Sequence, residues 1–320
     1  MKGCVRKWTV PYFLNVQLAV DIIIWLAIGI PLLVLFLKGS PYQAGFFCDD
    51  TSLKYPYKPS TISDALIFGM AFGITTISLL TVEILNRLEK KSKKKRCLSA
   101  DKLICLKGFG IFLFGFAIAQ LFNEVLKNAV GRLRPNFFDI CRPNFFLIDC
   151  SQGYITNYTC TNVEHSATIL RNSRQSFPSG HAVFSMFTAM YLTLYIQIRL
   201  NISYSRILKP TFQAVLMLLS LLCSASRITD HMHHSSDVIA GLILGFIVAC
   251  AVFYSLGTKY LNNRNGENVY SNDDIEENAN PTSKECQIQL KLPQENFTDN
   301  RRTPSSLLKQ KKLASKPVIV

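Results

Sequence analysis

The residues that could carry out chemistry in this chain fall into three short segments. They are Lys127–Pro135, Phe177–His181 and Ser226–Asp237. Each joins cations, histidines or a Pro-Gly turn to a neighbouring apolar stretch. Side chains of these types bind oxyanions and transfer protons, so all three segments predict a site for an anionic ligand.

The first segment supplies two fixed cations. Lys127 and Arg134 are seven residues apart, which is two helical turns, so both project from one face if the helix continues that far. Such a pair suits an oxyanion. The alternative is two long side chains that snorkel at a membrane boundary.

The second segment is a turn that leads into a helix. Gly180 allows the backbone to approach a ligand closely, and the first amides of the helix would point at an anion. His181 follows directly and can give up a proton near neutral pH. The alternative is an ordinary capping turn with an interfacial histidine.

The third segment holds a candidate nucleophile. His233 and Asp237 are four residues apart, so they meet if both lie at the start of a helix. A carboxylate there would fix the imidazole tautomer and leave the other ring nitrogen free to attack. The alternatives for His231, His233 and His234 are a metal site, which the nearby Arg227 would oppose, and a solvated turn.

Together the three segments predict phosphoryl transfer without a metal. Three cations, Lys127, Arg134 and Arg227, would stabilise charge, and the amides after Ser179 would form an anion nest. Two histidines and one carboxylate would provide the nucleophile and the acid.

The elements that position these segments are membrane spans. The chain of 320 residues is 49% hydrophobic and 18% charged, below the roughly 25% charge of soluble domains. We therefore predict an all-α integral membrane protein with six transmembrane helices and exclude an ordinary soluble enzyme. The predicted spans are 16–37, 62–85, 103–126, 181–200, 211–226 and 238–258.

The positive charge lies between the spans, where it sets the orientation of the spans in the membrane. It therefore gives no reason to expect nucleic acid as a partner. The net charge is +14, with eight Lys and Arg between Arg87 and Lys102. The positive-inside rule then places both termini in the cytoplasm. The ends of spans three to six that carry the three segments, and hence the predicted active site, lie outside or in the lumen. The first span is longer than a signal peptide and contains Asp21, so we expect it to be retained.

The predicted outer loops contain features of an oxidising compartment. Asn157 in the long loop begins a glycosylation tripeptide, whereas Asn201 and Asn296 match the same pattern on the predicted cytoplasmic side. Four of the ten cysteines allow two disulfides of undetermined connectivity, and the other six are expected to be free thiols. The four are Cys48, Cys141, Cys150 and Cys160.

Residues 259–320 have the composition of a disordered cytoplasmic tail that follows a membrane domain of residues 1–258. The last three residues, 318–320, could add to a PDZ-type groove, with an unremarkable chain end as the alternative.

The three segments resemble the motifs of the lipid phosphate phosphatases, the integral-membrane type 2 phosphatidate phosphatases. The family motifs KxxxxxxRP, PSGH and SRxxxxxHxxxD are complete here and in order. The resemblance extends to the first outer loop and covers roughly residues 10–258. One departure is Ser235, where the animal enzymes commonly have an aromatic residue, which concerns lipid contact or loop packing more than chemistry.

The resemblance implies a six-span enzyme whose site faces the exterior or lumen. It implies removal of phosphate from phosphatidate, lysophosphatidate, sphingosine 1-phosphate or ceramide 1-phosphate, without a magnesium requirement. His233 would attack phosphorus with support from Asp237, and His181 would protonate the leaving alkoxide. The implied phosphate-binding residues are Lys127, Arg134, Ser179, Gly180 through its amide, and Arg227.

Three other classes of protein remain as alternatives. A non-catalytic relative that binds lipid phosphates or scaffolds partners would lack histidines or cations that are present here. The six spans and the resemblance in the first outer loop count against a phosphatase for sugar phosphates or polyprenyl diphosphates. A transporter would use intramembrane acids such as Asp21, Glu83 and Glu124, but no inverted repeat is visible.

The expected partners are lipid phosphate substrates and the bilayer itself. A homo-oligomer is a further candidate. We expect the plasma membrane as the location, with endoplasmic reticulum and Golgi as the alternatives.

Overall fold

A computed structural model of the chain describes residues 12–91 and 98–261. Within these ranges the chain is mostly helical, with nine α-helices and one two-stranded sheet. The helices are α1 Tyr12–Lys38, α2 Asp64–Lys91, α3 Leu98–Val130, α4 Phe137–Cys141, α5 Ala167–Asn172, α6 Gly180–Arg199, α7 Leu208–Thr229, α8 Ser235–Val252 and α9 Thr258–Leu261. A π-helical turn, Phe253–Gly257, joins α8 to α9.

Six helical segments in the described ranges are long and apolar enough to cross a membrane, which confirms the predicted fold class. A helix suits this environment because it satisfies its backbone hydrogen bonds internally. The six segments are Val16–Lys38, Asp64–Glu89, Ile104–Val130, Gly180–Arg199, Leu208–Thr229 and Ser235–Leu261.

The predicted spans coincide with these helices, and the differences lie at the ends. The short predicted span 211–226 extends by three residues at each end, to Leu208 and Thr229. The last helical segment continues past the predicted domain boundary at residue 258 to Leu261. The proposed PDZ ligand and nearly all of the predicted tail lie outside the described residues.

Helix α6 is the centre of the bundle. It packs mainly against α7 and α8, and also against α2 and α3. In the most apolar 18-residue stretch of α6, 72% is buried inside the protein, whereas the corresponding stretch of α1 is 0% buried. Rings of α3 interleave with rings of α6 along this core: Phe112 and Phe116 contact Phe184, Phe187 and Tyr191. Helix α1 lies outside this core and contacts α3, with Trp25 edge-on to Phe114.

Two glycines bring α8 against the first turns of α6. A Cβ atom added at Gly241 would lie 2.6 Å from the carbonyl oxygen of Ser179, and one at Gly245 would lie 2.3 Å from that of Val183. Small residues four apart allow two helical backbones to approach this closely. The start of α6 is therefore held directly against α8.

An ion pair closes the other end of the bundle. The guanidinium of Arg199 on α6 donates to the carboxylate of Glu83 on α2, and the hydroxyl of Tyr195 donates to the same carboxylate over 3.0 Å. Glu83 is therefore a helix-packing group and not an unpaired intramembrane acid of the kind a transporter would use.

The loops between helices form a cap over the opposite end, where α3 and α7 end and α2, α6 and α8 begin. Strand β1, Phe46–Phe47, pairs antiparallel with β2, Tyr154–Ile155. The four cysteines of the predicted outer loops pair as Cys48–Cys150 and Cys141–Cys160. The first of these disulfides ties the first loop to the long loop. Asn157 is exposed on the same cap.

Candidate active site

The three predicted segments meet beneath the cap. Lys127 lies in the last turn of α3, His181 in the first turn of α6, and Arg227 in the last turn of α7. His233 precedes α8 and Asp237 lies in its first turn. The fold therefore gathers helix ends that are far apart in sequence at one side of the bundle.

Lys127 and Arg134 do not lie on one helix, so the prediction of a shared helical face is wrong. Helix α3 ends at Val130 because Gly131 has a φ of 61°, in the left-handed region that glycine tolerates. A Cβ atom at Gly131 would also lie 2.0 Å from the carbonyl oxygen of Tyr42. The chain turns here and carries Arg134 back toward Lys127, close enough for electrostatic interaction.

Arg134 has unused hydrogen-bonding capacity. Its Nη1 donates to the thioether of Met232 over 3.2 Å, which is a weak acceptor, and its buried Nε has no partner among the described residues. Burial lowers the pKa of Arg134 to about 10, so the guanidinium remains charged at neutral pH. An anion that replaced the weak sulfur contact would satisfy these donors.

The turn before α6 has the form expected of an anion nest. Ser179 is the N-cap of α6, but within the part of the chain that the structure describes its buried hydroxyl makes no capping bond and has no partner. A Cβ atom at Gly180 would lie 3.4 Å from Nζ of Lys127. The free hydroxyl, the first amides of α6 and the ammonium of Lys127 thus face the same space.

One backbone carbonyl holds both His181 and Arg227. The oxygen of Ile62 accepts from Nε2 of His181 over 2.9 Å and from Nη1 of Arg227 over 3.1 Å. The second nitrogen of His181, Nδ1, lies 3.8 Å from the carboxylate of Asp64. The chain just before α2 therefore positions two of the predicted site residues.

Arg227 is only 1% exposed and is held by a second acid. Its Nη2 donates to Asp230 over 2.7 Å. Asp230 also accepts from the backbone amide and the hydroxyl of Thr61, over 2.8 Å and 2.7 Å. These bonds stabilise the buried charge and fix the guanidinium at the site.

His233 is fixed in the tautomer that a nucleophile requires. Its Nδ1 lies 2.6 Å from the carbonyl oxygen of Ser176. A carbonyl only accepts, so Nδ1 carries the proton and Nε2 keeps its lone pair. Burial, and then the charges of Arg134 and Lys127, hold the pKa of His233 well below its ordinary value. The ring is therefore neutral at neutral pH.

The predicted contact between Asp237 and His233 is wrong, because α8 begins only at Ser235. His233 precedes the helix, so the four-residue spacing does not bring the two side chains together. Asp237 instead accepts from the Ser176 hydroxyl over 2.6 Å and from the backbone amide of His234 over 3.0 Å. Arg132 also donates to it. Asp237 therefore caps α8 and is linked to His233 through Ser176, whose hydroxyl donates to Asp237 and whose carbonyl contacts His233.

The three histidines of the third segment do not converge on a common point. His231 lies near the carbonyl of Pro56 and His233 near that of Ser176, while His234 contacts Asp237. Among the described residues, no group of three or more His, Cys, Asp or Glu side chains forms a metal-binding cluster.

Several positioning residues were not among those predicted from the sequence. Asp230 has a detectable signal, since it lies three residues after Arg227 and can pair with it on a helix. Ile62 and Ser176 act through backbone carbonyls, which leave no mark in residue type. Arg132 resembles any interfacial cation in sequence, and only the structure shows its bond to Asp237.

The fold and the site define a membrane-embedded phosphatase of the PAP2 superfamily, whose family model matches residues 108–261. Phospholipid phosphatase 1 of Rattus norvegicus is 38% identical over 72% of this chain and 82% of its own length. Phospholipid phosphatase 2 of Mus musculus is 36% identical over 77% of this chain and 85% of its own length. A putative phosphatidate phosphatase of Drosophila melanogaster is 34% identical over 74% of this chain and 67% of its own length.

The chain therefore belongs to the phospholipid phosphatases of the PAP2 superfamily, and it is a multi-pass membrane hydrolase. This confirms the family indicated by the three motifs. No solved structure matches the chain.

Proposed function

We propose that this protein hydrolyses lipid phosphate monoesters through a phosphohistidine intermediate on His233. The observation that carries the proposal is the tautomer of His233, whose Nδ1 is bonded to the carbonyl of Ser176. Its free Nε2 then lies in the electrostatic field of Lys127 and Arg134. A neutral nucleophile beside two cations is the arrangement needed to attack a phosphate that those cations bind.

The phosphate would occupy the space shared by the cations and the start of α6. Lys127, Arg134 and Arg227 supply charge, and Ser179 supplies a hydroxyl that has no partner in residues 12–91 and 98–261. The amide of Gly180 adds a donor at the positive end of the helix. These groups would stabilise the charge that spreads over the equatorial oxygens in the transition state.

In the first step Nε2 of His233 forms a bond to phosphorus as the bond to the ester oxygen breaks. The departing alkoxide takes a proton from His181, so the lipid alcohol leaves neutral. Protonated His181 carries an N–H on both nitrogens. Nε2 is bonded to the carbonyl of Ile62, so Nδ1 is the nitrogen available to the leaving oxygen.

In the second step water attacks phosphorus and the bond to Nε2 breaks. His181, now neutral, accepts a proton from the water, and inorganic phosphate leaves. Asp237 supports this cycle indirectly, since it fixes residue 176 and the start of α8.

The substrates we propose are phosphatidate, lysophosphatidate, sphingosine 1-phosphate and ceramide 1-phosphate. The site lies at one end of six spanning segments, where a phosphate headgroup at the bilayer surface can reach it. The proposed topology places that end outside the cell or in the lumen, with the termini in the cytoplasm. Two disulfides in the cap support this orientation, because disulfides persist in oxidising compartments.

The test is phosphate release from a short-chain phosphatidate by detergent-purified protein in excess chelator. We expect release by the wild type and none by His233→Ala. His165→Ala is the matched control, since this histidine lies in the cap, where its ring contacts that of Tyr57 at a tilt of 57°. Brief incubation with labelled substrate should also leave acid-labile, alkali-stable phosphate on the wild type alone. Absence of release from every lipid phosphate by well-folded protein would favour the binding or scaffold alternative.

A further inference from the structure

One carboxylate faces the site without a structural role in holding it together. Asp64 is the first residue of α2, and its side chain is 84% exposed. Its carboxylate lies 3.8 Å from Nδ1 of His181. Asp230 and Asp237, by contrast, are buried and bonded to several neighbours.

The charge of Asp64 acts on the phosphate-binding cations. It interacts electrostatically with Lys127, Arg134 and Arg227. A negative charge in this position opposes the binding of a phosphate dianion to those same cations. The carboxylate is therefore unfavourable for a substrate that carries only negative charge near its phosphate.

The position of Asp64 relative to the two histidines shows which part of a substrate it meets. Phosphoryl transfer places the attacking and leaving atoms roughly in line, so His233 and His181 lie on opposite sides of the phosphorus. Asp64 is beside His181, whereas Ser176 lies beside His233. Asp64 thus faces the leaving alcohol.

The geometry points to a specificity role: we propose that Asp64 binds an ammonium group on the alcohol part of the substrate. An ammonium two carbons from the ester oxygen lies about 3 Å from that oxygen, given ordinary bond lengths. It would then fit between the leaving oxygen and the carboxylate. The favoured class is the phosphorylated amino alcohols, of which sphingosine 1-phosphate is the example. This inference rests on the proposed function of the site.

Ceramide 1-phosphate provides the matched comparison, because a neutral amide replaces the ammonium of sphingosine 1-phosphate. The measured quantity is the ratio of kcat/KM for sphingosine 1-phosphate to that for ceramide 1-phosphate, at equal mole fractions in the same micelles. The ratio cancels any loss of folded protein and any general loss of activity. Only ceramide 1-phosphate carries an acyl chain, and the effect of that chain cancels when the variant ratio is divided by the wild-type ratio.

We expect Asp64→Asn to lower this ratio about fivefold, the upper range for an exposed ion pair. The wild-type ratio should also fall as salt is raised, since salt screens exposed charges. Glu164→Gln is the control and should leave the ratio as it is, because Glu164 pairs with Arg142 in the cap. Both variants replace a carboxylate with an amide.

Three results would overturn the proposal. An equal loss for both lipids would mean that Asp64 acts on His181 and not on the substrate. An unchanged ratio with unchanged rates would show that Asp64 has no part in selection. A raised ratio would show that Asp64 disfavours sphingosine 1-phosphate relative to ceramide 1-phosphate. If the wild type hydrolysed neither lipid, the proposed function itself would fail, which is a different outcome from wild-type turnover with an unaltered ratio.

Discussion

Nδ1 of His233 lies 2.6 Å from the backbone carbonyl oxygen of Ser176, and this bond fixes the imidazole. A backbone carbonyl is a constant acceptor that does not titrate. The imidazole of His233 is therefore held in one tautomer by the course of the chain before α6. Asp237 acts one step further away, through the hydroxyl of the same serine.

The first prediction concerns this indirect role. Asp237→Asn should retain turnover at about 10-fold to 100-fold below the wild type, the usual cost of losing an outer partner of a site. His233→Ala should abolish turnover. Ser176→Ala keeps the carbonyl and removes only the hydroxyl, so its loss should be smaller still. The measurement is kcat in parallel with the melting temperature of each variant in detergent.

Asp237→Asn should also melt at a lower temperature, because the carboxylate caps α8 and is bonded to Arg132. If it were as inactive as His233→Ala and melted like the wild type, Asp237 would act on the imidazole itself.

The second prediction tests the proton donor. His181→Ala should lower kcat strongly for alkyl phosphate lipids, because the leaving alkoxide is a poor leaving group without a proton. The loss should be far smaller for an aryl phosphate, whose phenolate leaves unaided. The measurement is kcat/KM of the wild type and of His181→Ala for one alkyl phosphate lipid and one aryl phosphate. Equal losses would remove His181 from the role of acid.

The third prediction concerns pH. Burial of His233, and then the cation of Arg134, lower the pKa of this histidine, so neutral His233 persists at pH values below the ordinary histidine value of about 6.5. Arg134→Gln removes a positive charge that disfavours imidazolium, so the pKa of His233 should rise. The acid limb of the kcat/KM profile should then move to higher pH.

The magnitude of kcat/KM should also fall in Arg134→Gln, since a proposed phosphate-binding residue is lost, so only the position of the limb is diagnostic. Arg142→Gln is the control, because Arg142 pairs with Glu164 in the cap. If the acid limb lay at the same pH for Arg134→Gln and the wild type, the charge of Arg134 would have no effect on the pKa of His233.

The span pattern and the three motifs were enough to predict the helices and which residues lie together at one end of them. Apolar runs of membrane length leave little choice of structure, so the predicted spans coincide with the helices. The motif residues stand at helix ends, and the order of the spans brings those ends to one side. Lys127, His181, Arg227 and His233 therefore gather as expected.

Local geometry at the helix ends was not predictable in the same way. The two pairings assumed from helical spacing, Lys127 with Arg134 and His233 with Asp237, both failed because each crosses a helix boundary. Helix ends depend on turns and caps that periodicity does not locate. The carbonyl of Ile62 is invisible to residue type, since any residue could supply it.

The fourth prediction tests topology. Asn157 is exposed on the disulfide-bonded cap, so it should carry a glycan if the cap faces the lumen during synthesis. Removal of N-linked glycans should increase the electrophoretic mobility of the wild type by one step. Asn157→Gln should already migrate at the faster position, and Asn201→Gln should behave as the wild type. A wild type unaffected by glycan removal would count against the proposed use of this site.

The fifth prediction concerns the contact that holds the start of α6. Gly245→Ala would place a Cβ atom 2.3 Å from the carbonyl oxygen of Val183, and helix backbones cannot yield as a flexible side chain would. Separation of α8 from α6 should lower stability by about 1–3 kcal/mol, the usual cost of overpacking. It should also reduce kcat, because Ser179 and Asp237 lie on the two helices that move. Gly69→Ala is the control, since its added Cβ would have open space around it in α2, and it should melt no lower than the wild type. Equal melting temperatures and rates for both variants would show that the close approach of α8 does not position the site.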